Sequence, residues 1–242
     1  MCGPPSWSAV LLAAALAPPA TAQEPRLALH FNAIVAVGDL QVSARDSLTV
    51  LGRQVPVGAA YSLDPAPGFD VGLQAGIVGP LALRASMSRV VRKGAGRLTA
   101  QLPALPFGLP SRIDAILPDG RVAETAGHLD AVLVARLGRA GLSAFGGITF
   151  FDLEARLLDR VELSVPGAGP IPVFGAPSLR VADSPRGWNA GIGLDVTVLR
   201  AVALGVQLRF ARATAVLEPP NADPIELDAG GLHAGLGLRL RF

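Results

Sequence analysis

The stretch "GGLHAGLGLRLRF", residues 230–242, decides how the rest of the chain is read. Leu232, Ala234, Leu236, Leu238, Leu240 and Phe242 fall on one parity, and Gly231, His233, Gly235, Gly237, Arg239 and Arg241 on the other. Successive side chains of a β-strand point to opposite faces. One face of this segment is therefore wholly apolar, while the other carries glycine and cations.

The same design recurs upstream. "GFDVGLQAGIVGPLALRASMSRVV" sets Phe69, Val71, Leu73, Ala75 and Ile77 on one parity, turns at Gly79-Pro80, and continues with Leu81, Leu83, Ala85 and Met87. "HLDAVLVARLGRAGLSAFGGITFF" does so with Leu129 through Leu137, a turn at Gly138–Gly141, and Leu142 through Phe150. "GWNAGIGLDVTVLRAVALGVQLRFAR" repeats it around a turn near Leu199–Ala201, and "RLALHFNAIVAVG" supplies a first strand. With the last strand this makes eight, beginning near residues 26, 68, 81, 128, 141, 187, 201 and 230. Three connections are very short, and four are long: 41–67, 98–126, 156–186 and 218–229. Short and long connections alternate strictly, as in membrane barrels with short periplasmic turns and long outer loops.

The apolar parity runs for about ten residues per strand, the length a tilted membrane strand needs. The opposite parity carries Asp70, Gln74, Arg84, Ser86, Asp130, Arg136, Thr149, Asn189, Asp195, Gln207, Arg209 and Arg239 among many Gly and Ala. A soluble barrel normally turns its apolar face inward. Here the polar face is too poor in charge for a solvated surface and fits a narrow lumen. The expected fold is an all-β, eight-stranded antiparallel up-and-down transmembrane β-barrel.

Composition agrees. Of 242 residues, 50% are hydrophobic and only 17% charged, yet the net charge of +2 and the absence of a basic run argue against a nucleic-acid partner. Gly (28) and Pro (21) are spread throughout, which disfavours long helices. Residues 1–22 hold an apolar core, Ala9 to Ala17, and a small-x-small Ala20-Thr21-Ala22 site. They read as a signal peptide, although no Lys or Arg precedes the core. Cleavage leaves residues 23–242 as the barrel domain, and N-terminal sequencing of envelope protein is expected to begin at Gln23. The only cysteine, Cys2, lies in the leader, so the mature chain is not a disulfide scaffold.

In strand rhythm, loop alternation and the ending "GLGLRLRF", residues 26–242 resemble the small bacterial outer-membrane β-barrels of the OmpA/OmpX-like superfamily. The resemblance implies export to the periplasm, insertion in the outer membrane, lipid as surroundings, and recognition of Phe242 by the outer-membrane assembly machinery. It implies a monomer. Activities differ widely on this fold, so fold does not give function. The long outer loops are richer in Pro and apolar residues than in the shortest members; they extend the barrel or hold an extra hairpin.

Chemistry-bearing patterns are sparse. His30, His128 and His233 face the lumen by parity, on different strands and without a paired metal-ligand spacing. The pairs His30-x-Asn32, His128-x-Asp130 and His233-x-Gly235 lack the serine of the His-x-Ser deacylase barrels. Asp46-Ser47 and Asp183-Ser184 lie in outer loops, where Asp-Ser is also a routine turn dipeptide. "KGAGR" and "VPGAGP" precede no phosphate-loop helix. No enzyme activity, metal or cofactor is expected. The expected role is an envelope barrel acting through its outer loops, with a narrow conduit for small or hydrophobic solutes, and a rim-located lipid-modifying enzyme, as alternatives.

Two sets of residues are singled out. Counting from the short turns sets Phe69, Phe150, Trp188 and Phe210 nine to eleven residues up. At about 2.5 Å of climb per tilted residue, all four stand roughly 25 Å above the turns, as an outer aromatic girdle. Phe242 marks the other interface. Inside, Asp70, Arg84, Asp130, Arg136, Asp195, Arg209 and Arg239 are expected to close the lumen by ion pairing, because an eight-stranded barrel is only wide enough for side chains to fill. The same counting puts Asp195, Arg84, Arg136 and Arg239 in a layer near the turns, and Asp70, Asp130 and Arg209 about nine residues up.

Overall fold

A computed structural model describes residues 27–50, 53–101, 112–156, 161–165, 169–173, 180–218 and 224–242. The expected leader and its cleavage site lie outside them. The described residues form strands β1 (Leu27–Val37), β2 (Leu40–Val50), β3 (Arg53–Leu63), β4 (Ala66–Val78), β5 (Leu81–Gln101), β6 (Arg112–Leu137) and β7 (Ala140–Arg156). There follow β8 (Val161–Val165), β9 (Gly169–Val173), β10 (Arg180–Asp183), β11 (Arg186–Leu199), β12 (Val202–Leu217) and β13 (Ile225–Arg241).

Eight of these close into a ring, β1-β4-β5-β6-β7-β11-β12-β13, with β13 returning antiparallel onto β1 from Ala28↔Arg241 to Val37↔Leu232. Every neighbouring pair in the ring is antiparallel. Closure pairs the backbone groups that lipid could not satisfy. The three short turns fall at Gly79-Pro80, Gly138-Arg139 and Arg200-Ala201, all at one end. Gly138 takes φ +63°, a left-handed turn conformation costly for other residues.

The other end departs from the expected loops. Residues 98–126 were expected as a connection, but β5 runs on to Gln101 and β6 starts at Arg112, the two paired on both sides of a bulge at Gly94–Gly96. β2 and β3 make a hairpin in the 41–67 connection, and β3 adds to β5 from Val57↔Ala100 to Tyr61↔Gly96. β10 adds to β7, and β8 pairs with β9. The sheet thus continues well above the level at which the apolar outer parity ends.

At that level the polarity of the wall inverts. Along β12, Leu204, Val206, Leu208 and Phe210 point outward, while Ala203, Gly205, Gln207 and Arg209 point inward. Beyond Phe210 the outward residues are Arg212, Thr214 and Val216, and the inward ones Ala211, Ala213, Ala215 and Leu217. β13 and β7 change in step: Ile225, Leu227 and Ala229 on one, and Phe151, Leu153 and Ala155 on the other, are buried beside outward Glu226, Asp228, Asp152 and Arg156. With Val42, Tyr61, Leu63, Leu98 and Val122 these form one apolar core. The molecule therefore has a lower storey, apolar outside and polar inside, and an upper storey with the reverse. The length reading failed there because it followed the apolar-outside parity, and that signal stops where lipid stops.

Candidate functional site

The interior of the lower storey is built by side chains from every strand of the ring. Arg209 on β12 donates from Nη1 to Asp70 Oδ2 on β4 (2.9 Å), and from Nη2 to Asp130 Oδ2 on β6 (3.2 Å) and Ser86 Oγ on β5 (3.1 Å). Arg84 on β5 reaches the same Asp130 oxygen with Nε (3.0 Å) and Nη2 (2.8 Å). Asn32 on β1 and Gln207 donate to Asp70 Oδ1 at 2.7 and 3.3 Å. Phe145 on β7 lies beneath the two guanidinium groups, with Arg84 Cζ at 3.7 Å and Arg209 Cζ at 5.3 Å from its ring centre. Asp70, Arg84, Asp130 and Arg209 are each no more than 5% exposed. Charges withdrawn from water to this degree are tolerable only when paired and hydrogen-bonded.

Towards the short turns, Arg239 on β13 approaches Asp195 on β11 (3.3 Å) and donates from Nη1 to Asn32 Oδ1. Arg241 lies 3.9 Å from Asp195 and donates to Thr197 Oγ1 at 2.7 Å. Gly205 makes this arrangement possible, because a β-carbon there would collide with Asp195 Oδ1. Arg136 lines the same mouth.

All seven lumen residues singled out from the sequence are thus inside the ring, six of them in two clusters of ion pairs. Their layering differs from the simple count in one respect. Arg84, counted into the layer of Asp195, sits directly across from Asp130. The cause is barrel stagger: β6 descends four residues beyond its contact with the start of β5, since Leu81 pairs with Leu133. Of the girdle residues, Phe69, Phe150, Trp188 and Phe210 all point outward at the level of the polarity change. Trp188 and Phe210 are in ring contact at 5.6 Å, and the Arg186 guanidinium lies 5.8 Å from the Phe150 ring. Phe242 is exposed at the opposite end, its N–H donating to Leu27 O.

Several interior groups were not singled out from the sequence. Phe145 has the inward parity, but an aromatic in a polar lumen gives no one-dimensional signal. Ser88 Oγ stands 3.1 Å from His128 Nε2, and His128 Nδ1 stands 2.9 Å from Thr149 Oγ1, which accepts from Asn189 Nδ2 at 3.0 Å. This places a hydroxyl beside an imidazole across two strands, where a search along one strand finds nothing. Ser88 and His128 are each 2% exposed, and a threonine stands where the carboxylate of a nucleophilic triad would orient the ring.

Just above the girdle, Arg92 donates to Gly38 O (2.8 Å) and Gly230 O (3.5 Å), and Gly230 N–H donates to Glu124 Oε2 (3.1 Å). Burial pushes the Glu124 carboxyl above its ordinary range, opposed by the Gly230 N–H and Arg92. Burial also lowers Arg92 from its ordinary value, opposed by Glu124 and Asp39. The sequence reading missed both, because it treated their segments as strand end and loop.

No family model matches the chain, and no curated protein sequence matches it. Among solved structures it is similar to the outer membrane protein OprG from Pseudomonas aeruginosa, at 10% identity over 90% of this chain and 97% of that one, with a TM-score of 0.56. Neisserial surface protein A follows at 12% identity, 89% and 99% coverage and a TM-score of 0.41. The outer membrane protease OmpT from Escherichia coli gives 11% identity, 88% and 97% coverage and 0.42. The fold is that of the small outer-membrane β-barrels, with a ring of eight strands.

Proposed function

We propose that this chain is a non-enzymatic outer-membrane barrel, closed to hydrophilic solutes, that acts through the surface of its raised upper storey. One observation carries the reading. The Asp70–Arg209–Asp130–Arg84 network crosses the lumen from β4 to β12, β6 and β5 with no member more than 5% exposed. Such a plug converts the lower storey into an anchor. The sheet above it carries charge outside, including the Arg212–Asp228 pair at 3.2 Å, and so offers a folded surface to the exterior. The same reading takes lipid as the barrel's surroundings, a monomer as its unit, and Phe242 as the residue met by the assembly machinery after export. The burial of Ser88 and His128, each 2% exposed, supports the absence of catalysis, since it leaves the hydroxyl no open approach.

Planar-bilayer recording of the refolded protein is expected to give no steady conductance, and lipid A from cells with and without the gene to be identical. A stable open level would replace the anchor by a conduit. A change in lipid A acylation would restore the enzyme. A second reading, passage of small apolar molecules, is favoured by the apolar lining of the upper storey, from Tyr61 and Leu98 to Leu217 and Leu227. Its distinguishing result is gene-dependent uptake of an apolar fluorescent reporter into vesicles that remain electrically silent.

A further inference from the structure

Directly above the aromatic girdle, the outward face of β5, β6 and β7 gathers cations. Arg89 is exposed and pairs across from the girdle residue Phe69. Four residues further up β5, Lys93 stands opposite Arg121, and Arg121 stands opposite Arg156. Three exposed cations therefore occupy neighbouring register positions on three strands. Like charges set directly across a sheet repel, so the fold keeps this row at a cost in stability. Arg89, Arg121 and Arg156 line a shallow hollow with Ala123 and Glu154. Glu154 lies 3.4 Å from Arg156 Nε, while Arg89, Lys93 and Arg121 form no ion pair among the described residues. The opposite wall of the ring differs. Just above the girdle on β12 and β13, the outward cation, Arg212, is paired with Asp228 at 3.2 Å, with Glu226 next on the same face.

We infer that this face of β5–β7 is a docking site for the phosphomonoester headgroup of a lipid in the leaflet on the long-loop side. The inference rests on the reading of lipid as the barrel's surroundings. Position selects a lipid over a soluble partner, because acyl chains packed on the outward Leu83, Met87 and Leu129 deliver their headgroup to Arg89. At about 2.5 Å of climb per residue, the Lys93–Arg121–Arg156 row stands about 10 Å above Arg89. The headgroup layer is about 5–8 Å thick, and long cationic side chains reach across the remaining gap. A phosphomonoester carries nearly two negative charges and three acceptor oxygens. It suits guanidinium forks, which bridge phosphate with paired hydrogen bonds, and it relieves the repulsion within the row. The balanced wall of β12 and β13 offers no such complement.

The test is native mass spectrometry of the full barrel, refolded in detergent micelles and titrated with one lipid at a time. The probes are lipid A bearing two phosphomonoesters, phosphatidylglycerol as a singly charged phosphodiester, and phosphatidylcholine as the neutral control. Saturable binding of lipid A is expected, about tenfold tighter than phosphatidylglycerol, with no saturable binding of phosphatidylcholine. Arg121→Gln is expected to weaken lipid A about tenfold, the scale of one charged hydrogen bond. Arg212→Gln, on the opposite wall, should leave it unchanged. Folding of each variant is checked by its heat-modifiable electrophoretic mobility. In phosphatidylcholine vesicles, Arg121→Gln should be at least as stable as the wild type, since a repelling charge is gone. Equal binding of lipid A and phosphatidylglycerol, or equal losses in Arg121→Gln and Arg212→Gln, overturn the assignment. Tighter binding of a soluble heparin fragment than of lipid A also overturns it, making the patch a water-facing glycan site. Failure of the barrel to enter phosphatidylcholine vesicles removes the membrane reading and the inference together. None of the lipid titrations bears on conductance, so the docking site and the closed anchor stand or fall separately.

Discussion

Below Phe210, β12 turns Gln207 and Arg209 inward and Leu204, Val206 and Leu208 outward; above it, the same strand turns Ala213, Ala215 and Leu217 inward and Arg212 and Thr214 outward. The pairing register with β13 runs without a shift from Val202↔Leu240 to Leu217↔Ile225, and parity is kept throughout. The backbone marks the change only at Gly230 and Gly231, opposite Arg212 and Ala211, which take φ +96° and +108°; there Gly230 donates its N–H to Glu124 and accepts from Arg92. Alternation makes the strand, and the chemistry assigned to each parity states which solvent lies on which side. In the lower storey the apolar face meets lipid, so the interior must be closed by charge. In the upper storey the outside is water, so the interior closes by ordinary apolar packing.

The largest effects should come from treating one storey's core as if it were the other's. Arg209→Ala removes the cation shared by Asp70 and Asp130; Asp130 keeps Arg84, but the buried Asp70 carboxylate is left without a paired cation. A loss of about 3–5 kcal/mol is expected in urea unfolding from lipid vesicles. Adding Asp70→Asn should recover part of that loss, because one stranded charge goes with it. In the upper storey Leu217→Ala should cost about 2–5 kcal/mol through lost burial and a cavity, with no polar substitution able to rescue it. Rescue of both variants by the same kind of change would break the distinction between a charged and an apolar core.

The outer faces give the next contrast. Val206→Arg puts a charge in the lipid-facing band midway between the short turn and the girdle, and should cost about 2–4 kcal/mol. Thr214→Arg, eight residues along the same face, lies in the water-facing storey and should stay within about 0.5 kcal/mol. Similar costs at both positions, measured by the same unfolding assay, would mean that the band of lipid contact does not end at the girdle.

How much of this was legible beforehand follows the same division. The eight strands, three turns and inward set from Asp70 to Arg239 could be read because lipid demands a continuous apolar parity, and "GLGLRLRF" displays it without interruption. The upper storey was hidden, since Val122-Ala123-Glu124-Thr125-Ala126 has a mixed pattern that suits a loop as well as a strand facing water. The register was hidden for another reason. Arg84 meets Asp130 through stagger, a property of ring closure that no single strand encodes. Phe145 and the Ser88–His128 contact were invisible because each depends on a neighbour distant in sequence.

At the boundary itself a smaller effect is expected. Trp188 and Phe210 touch at 5.6 Å with their planes inclined by 49°. A double-mutant cycle to leucine should give a coupling of about 0.5–1.5 kcal/mol, the range for inclined aromatic pairs. Zero coupling would make them independent anchors in the interface.

The least expected change, and the most discriminating for the upper interior, is the pH response of Glu124. Its carboxyl is 5% exposed, accepts from Gly230 N–H, and is held above its ordinary range by burial, which Arg92 and that hydrogen bond only partly oppose. In the unfolded chain a glutamate titrates near about 4.3. Below that value both states carry the proton, and burial costs nothing through ionisation. As pH rises past it, the unfolded chain ionises first while the folded protein keeps its proton, so folding becomes progressively less favourable until the raised folded value is passed. Glu124→Gln keeps an amide oxygen for Gly230 and cannot titrate. Other carboxylates contribute equally to both proteins and cancel in the difference. The wild type should therefore lose stability relative to Glu124→Gln as pH rises above about 4.3, as measured by paired urea unfolding curves at each pH. A flat difference would mean that Glu124 is solvated and that water reaches the floor of the upper storey. A difference of opposite slope would mean that the Arg92 charge outweighs burial, making this level a second charged plug of the lower-storey kind instead of the base of an apolar core.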